Sequence, residues 1–199
     1  TIREYICNFI MSKLETNQVD PATGTTLTLG TSGDTVSIPS GVTIANSGTA
    51  TGFGGDNTPS FFIYKSASDG DQTLSSGVDT LVVMTGEKWD TDNACTSSTF
   101  TVPSGEGGKY YIQVHAQTTS GNAANESMIF KIYKNGSMFS EQKNYFVNAG
   151  VHGFNLSTIL DLSASDTIKF YIEDDTSCVL DSDDNGRFVF MTGFKLIGV

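Results

Sequence analysis

Residues 100–116 read FTVPSGEGGKYYIQVHA. A short polar segment closes at Phe100-Thr101-Val102-Pro103, a glycine-rich turn follows, and a regular alternation then begins. Tyr110, Ile112, Val114 and Ala116 fall on one side, and Tyr111, Gln113, His115 and Gln117 on the other. A period of two places successive side chains on opposite faces, so residues 109–117 are expected to form a strand with one buried face.

The text on either side extends this pattern. Further strands are expected over Phe61–Lys65, Thr80–Met84, Met128–Tyr133, Ser157–Leu162, Thr167–Glu173 and Phe188–Leu196. Met128/Phe130/Ile132 and Ile168/Phe170/Ile172 each line one apolar face. Asn135-Gly136 and Asn185-Gly186 read as hairpin turns, whose central residues must accept positive φ. Helical periodicity is absent, and turn residues recur at short intervals, so the predicted fold is an all-β sandwich.

Upstream the character changes. From Leu14 to about Gly55 the chain is poor in charge and rich in Thr, Gly and Ser. The pairs Leu27/Leu29, Val36/Ile38 and Val42/Ile44 are separated by Gly30, Gly33-Asp34, Pro39-Ser40-Gly41 and Asn46-Ser47-Gly48. Two apolar side chains per unit cannot form a core in one chain. Short strands of this kind become stable when neighbouring rungs or chains cover them, so a β-rich, trimeric stem is expected, with a flexible linker as the competing reading. The expected organisation is an N-terminal segment over 1–26, a stem with a Gly-rich hinge over 27–55, and a globular head over 56–199. Met11-Ser12-Lys13-Leu14 reads as a natural protein start; residues 1–10 are open among upstream frame, expression remnant and anchor strand.

Charge narrows the function classes. The 199 residues carry 11 Lys plus Arg against 22 Asp plus Glu, for a formal net charge of −11. Nucleic-acid binding through phosphates needs a basic surface, and attraction to anionic lipid needs the same. Neither partner is expected. No apolar run approaches the ~20 residues that cross a bilayer, and Ile2–Ile10 lacks the charged flank and cleavage site of a signal peptide. Cys7, Cys95 and Cys178 form no CxxC or Cys/His spacing, so no disulfide framework or zinc site is expected, and folding in a reducing cytosol fits.

Several phrases together resemble the C1q/TNF-like jelly roll over about residues 58–199. They are Pro59-Ser60-Phe61-Phe62-Ile63-Tyr64, Trp89-Asp90-Thr91-Asp92-Asn93, and Phe100 with Gly108-Lys109-Tyr110-Tyr111. Ile132-Tyr133-Lys134-Asn135-Gly136, Leu160-Asp161-Leu162 with Asp166-Thr167-Ile168, and Thr192-Gly193-Phe194-Lys195-Leu196 follow in family order. Ser165 stands where the family commonly has Gly. The resemblance implies a homotrimer of non-enzymatic binding heads, in which outward residues of the 109–117 strand, Tyr111 and His115, contact neighbouring subunits.

The leader MSKLETNQVDPATGTTLTLGTSGDTVSIPSGVTIANSGTATGFG, residues 11–54, resembles the start of tail-fibre and virion-decorating proteins of marine and cyanobacterial phages. That resemblance implies a virion protein released by lysis, its N-terminal segment attached to other virion proteins and its head projecting. The expected role is a tail fibre or receptor-binding adhesin that engages a host-surface glycan or protein. A capsid decoration protein or head fibre is the alternative, and a polysaccharide depolymerase the third.

Candidate chemistry is sparse. Asp181-Ser182-Asp183-Asp184-Asn185-Gly186 matches the first half of an EF-hand loop. The twelfth position is Thr192 rather than Glu. An acidic tip competes with a loose Ca²⁺ site on Asp181, Asp183 and Asn185, helped by Glu173 or Asp174; no cofactor is otherwise expected. Asp90/Asp92/Asn93 and Asp69/Asp71 are further carboxylate groups, but in turn-like text where Asp and Asn are ordinary. His115 and His152 are expected to be surface histidines without a nucleophile motif beside them. Trp89, Tyr111, Tyr145 and Phe146 are the aromatics read as exposed, serving either sugar stacking or protein contact.

Overall fold

The computed structural model describes residues 19–45, 47, 57–119 and 122–197. The chain divides into two units, Thr1–Ala50 and Thr51–Val199.

The second unit is an antiparallel sandwich. Its strands are β1 (Ser60–Tyr64), β2 (Gln72–Ser75), β3 (Thr80–Leu81), β4 (Gly86–Asp90), β5 (Cys95–Thr96), β6 (Thr99–Thr101) and β7 (Gly108–Gln117). The rest are β8 (Glu126–Lys134), β9 (Ser137–Phe146), β10 (Gly153–Leu162), β11 (Thr167–Asp174), β12 (Ser177–Leu180) and β13 (Phe190–Lys195). One sheet runs β10-β7-β13-β1-β4; the other runs β5-β6-β11-β8-β9, with β3 added to β11 and a separate β12-β2 pair. Pairing is nested: β8 with β9, β7 with β10, β6 with β11, and β1 with β13. One long hairpin rolled over on itself gives this order, which is a jelly roll.

The roll starts from the β8–β9 tip. Lys134 faces Ser137 across Asn135-Gly136, whose φ values of 51° and 78° are both positive, as a two-residue primed turn demands. Asn135 also ties this tip to the β10–β11 turn: its amide donates to Asp166 at 2.7 Å and its carbonyl accepts from the Thr167 amide at 2.8 Å. Between the sheets lie Tyr110, Ile112, Val114 and Ala116 from β7, facing Met128, Phe130 and Ile132 from β8 and Ile168, Phe170 and Ile172 from β11. Phe61 stacks on Phe100 across the layers at 4.4 Å. Burial of each such side chain contributes about 1.5–3 kcal/mol, which outweighs the local preferences of the short strands.

Two expectations about elements need correction, and one strand was not expected. Asn185-Gly186 is not a hairpin turn: β12 pairs with β2 while β13 pairs with β1 and β7, so the chain there crosses rather than reverses. Gly186 is needed for another reason, since a Cβ would come within 2.9 Å of Phe62 and 3.0 Å of Tyr64. Expected over Thr80–Met84, strand β3 stops at Leu81, because Met84 turns inward and its backbone bonds Ser98 instead. Strand β9 carried no apolar alternation to reveal it: it is an edge strand with exposed or half-exposed residues throughout, and Glu141 and Lys143 leave that edge unattractive to further pairing.

In the first unit, residues 19–45 of the single chain contain no strand. Two turns punctuate it, Asp34 N–H bonding Thr31 C=O and Val42 N–H bonding Pro39 C=O. Gly33 and Gly41 take φ of 95° and 84° at their third positions, as a type II turn requires. Leu27, Leu29, Val36, Ile38, Val42 and Ile44 are each 44–64% exposed. Two apolar side chains between turns find nothing in one chain to bury against. The 1–18 segment and the Gly52–Asp56 hinge lie outside the described residues.

Candidate functional site

The outer face of the β10-β7-β13-β1-β4 sheet stands apart from the rest of the head. Strand register sets its outward side chains in rows, of which three are central and a further one pairs Lys109 with Asp161 at the margin. The first is Ser60, Phe194, Tyr111 and Ile159. The second is Trp89, Phe62, Thr192, Gln113 and Ser157, and the third Gly86, Tyr64, Phe190, His115 and Asn155. No Asp, Glu, Lys or Arg occupies these central positions, on a chain whose 33 such residues sum to −11 (11 basic against 22 acidic), while the Lys88 ammonium reaches over the Phe62 ring at 4.9 Å from the edge strand β4. Surfaces that meet water alone are not normally kept this free of charge, whereas the centres of protein interfaces are.

The face is also aromatic. Phe62 lies 5.1 Å from Trp89 and 4.9 Å from Phe190, Phe190 stacks on His115 at 5.2 Å, and Tyr111 meets Phe194 at 5.5 Å. Trp89 and Ile159 remain 46% and 57% exposed at its two ends. His115 is held by Asn155, Nδ1 donating to Oδ1 at 3.0 Å, and Tyr111 donates to Gln113 at 3.3 Å. Tyr111 and His115 therefore sit four residues apart on one strand, on the same outward face with Gln113 between them. Phe62, Phe190, Phe194 and Ile159 belong to the same surface; sequence reasoning left them out because each looks like a core residue until register shows which way it points.

The other singled-out residues have local partners. Asp183 is nine-tenths buried and its carboxylate bonds the Arg187 amide at 3.0 Å and its guanidinium at 2.7 Å. Burial would raise Asp183, but Arg187 outweighs this and holds it below the usual range. Asp181 accepts from Ser182 N–H, Asp184 accepts from Ala67 N–H, and Asn185 is exposed. Glu173 pairs with Lys131 at 2.5 Å, and Asp174 is buried under Thr176 and Ser177. Among the described residues no three His, Cys, Asp or Glu are grouped to hold a metal. Asp90 receives the Cys95 amide, Asp69 the Ser66 and Thr85 amides, and Asp71 the Ser182 hydroxyl, so these carboxylates fasten loops.

His152 is not a surface histidine. It is 4% exposed, its Nε2 donates to Asn148 C=O at 2.8 Å, its ring stacks on Phe146 at 4.1 Å, and Nδ1 lies 3.2 Å from Glu126, itself 1% exposed. With Nε2 committed to a carbonyl, Nδ1 and Glu126 Oε2 are left facing each other in the interior, and the contact ties the start of β10 to the start of β8. Among the described residues neither imidazole bonds a Ser, Thr or Cys side chain. Tyr145 stands 61% exposed on β9, away from the aromatic face. No described helix is long and apolar enough to cross a membrane.

No protein-family model and no curated protein sequence matches the chain. Among solved structures it is similar to the globular domain of zebrafish complement 1qA protein, at 12% identity and a TM-score of 0.49, over 70% of this chain and 98% of that one. It is similar to the Eiger TNF of S. frugiperda at 10% identity and a TM-score of 0.49, over 69% of this chain and 91% of that one.

Proposed function

We propose that the chain is a non-enzymatic bacteriophage virion protein, a tail fibre or receptor-binding adhesin whose jelly-roll heads associate as a homotrimer for host-surface attachment. The aromatic face, whose three central rows hold no charged residue, carries this reading. Phe62, Trp89, Tyr111, Phe190, Phe194 and Ile159 offer the apolar centre that self-association needs, and identical copies of a −11 chain repel one another everywhere charge is dense. The exposed apolar pairs at Leu27/Leu29, Val36/Ile38 and Val42/Ile44 support it, since three chains side by side would cover what one leaves bare. The phage-like leader over residues 11–54 supports the virion setting, and three weak sites on one trimer would act together on a cell surface.

Native mass measurement checks the assembly, with three copies expected; a stable monomer removes this reading. Gold-labelled antibody against the head, viewed on virions by electron microscopy, checks the location. Label at the tail tip supports the adhesin, and label over the capsid replaces it with a decoration protein or head fibre. Release of reducing sugar from host polysaccharide would replace it with a depolymerase.

A further inference from the structure

Within the three central rows of the aromatic face, His115 alone carries a group of the kind that gains charge between about pH 8 and about pH 5. Tyr64 and Tyr111 share those rows, and a phenol keeps its proton throughout that range. His115 is part of the aromatic run itself. Phe190 stacks on its ring at 5.2 Å from β13, and Phe62 stacks on Phe190 at 4.9 Å from β1.

The surroundings hold no counter-charge for an imidazolium. Nδ1 already donates to Asn155 Oδ1 at 3.0 Å, so an added proton goes to Nε2, which has no partner among the described residues. The groups about the ring are uncharged on every neighbouring element. They are Asn155 on β10, Phe190 on β13, Tyr64 and Gly86 further along the row on β1 and β4, and Gln113 and Gln117 on β7 itself. Charges at the margins are cationic or already engaged. Lys88 reaches over Phe62 at 4.9 Å, and Arg187 stands over Phe188 at 5.0 Å with Asp183 bonded to it. Lys109 and Asp161 face each other in the row beyond Tyr111, at the other end of the face from His115. A second copy that meets this surface through the same rows brings no carboxylate either.

We propose that His115 is an acid-release switch of the assembly: the neutral imidazole is accommodated between copies of the face, and its protonation separates them. The inference rests on the reading of the heads as a homotrimer joined through this face, and it gives that contact its regulation. A charge taken out of water without a counter-charge is strongly disfavoured, so the trimer binds fewer protons than the separated heads. Association is therefore complete above about pH 6.5, where imidazole in water is mostly neutral, and weakens as pH falls below it. One His115 per copy makes three per trimer, so the association constant falls by up to about 10³-fold per pH unit. The overall charge acts in the opposite sense. Copies of a −11 chain repel one another less as acid neutralises carboxylates, so general electrostatics predicts tighter association on acidification.

The test uses the full chain in sedimentation equilibrium from about pH 8 to about pH 5.5 at constant salt. Trimer at the upper end, and monomer with intact β-sheet circular dichroism at the lower end, are expected. The chain has two histidines, so NMR follows two imidazole Cε1–H signals. The signal absent from His115→Gln belongs to His115, and its titration should coincide with the loss of trimer. In His115→Gln and His115→Phe, whatever trimer forms at about pH 8 should persist at about pH 5.5, because neither side chain takes up a proton. Dissociation that survives both substitutions, a His115 signal that titrates while the trimer stays whole, or loss of the β-sheet signal together with the trimer overturns the proposal. Trimer at both ends of the range removes the switch and leaves the trimeric reading standing, whereas monomer at both ends removes the two together.

Discussion

Gly193 shows how closely single positions are specified. It lies on the inner side of β13, where a Cβ would meet Ile112 at 2.5 Å, Phe61 at 2.9 Å and the Tyr111 carbonyl at 2.9 Å. Because one of these is backbone, Gly193→Ala should destabilise the head by about 3 kcal/mol in a denaturant titration. The Glu126–His152 pair is a second such position. Removing the imidazole leaves the buried Glu126 Oε2 with no polar atom beside it, so His152→Ala should cost about 3–5 kcal/mol, and Glu126→Gln in the same background should recover part of it. Asp166 gives the pH dependence. The Asn135 amide, the Ser163 N–H and Lys134 hold its carboxyl down at about 2. A depressed carboxylate adds stability above its unfolded pKa of about 3.9, and that contribution is lost as pH falls through the folded value. Asp166→Asn should therefore lower the melting temperature at neutral pH, and the gap from the parent should close between about pH 4 and pH 2.

Elements were legible where one face is buried and the other wet. The 109–117 alternation, the 128–132 and 168–172 faces and the Asn135-Gly136 turn all appear as read. Strand β9 was hidden because an outer edge strand need bury nothing, and β2, β4 and β12 because each is short and borrows its stability from neighbours. The acidic loop is ambiguous in sequence for a related reason. Its D-x-D-x-N-G spacing serves Arg187, Ala67 and the close approach of Gly186 to Tyr64, and a ligand pattern looks the same when its oxygens bind amides. At the β8–β9 tip, Asn135→Ala removes both bonds to the β10–β11 turn and a residue that tolerates φ of 51°. A loss of about 1–2 kcal/mol is expected in thermal unfolding.

At the scale of the whole molecule the aromatic face makes the strongest demand. If copies of the chain meet there, Tyr111→Asp or Phe194→Asp places a charge in the centre of the contact. Either variant should run as a monomer in mass-resolved chromatography while keeping its β-sheet circular dichroism, because both side chains point away from the core. Glu141→Ala, on the far edge, should leave the assembly unchanged. The composition and the period-two pattern by themselves determined an all-β, acidic sandwich, since burial of alternate side chains is a local property of each strand. Tertiary structure alone decided that Tyr111 and His115 join Phe62, Phe190 and Phe194 on one aromatic face, and that His152 is buried against Glu126. These groupings depend on register between strands far apart in the chain, and register is set by the packing of the whole roll.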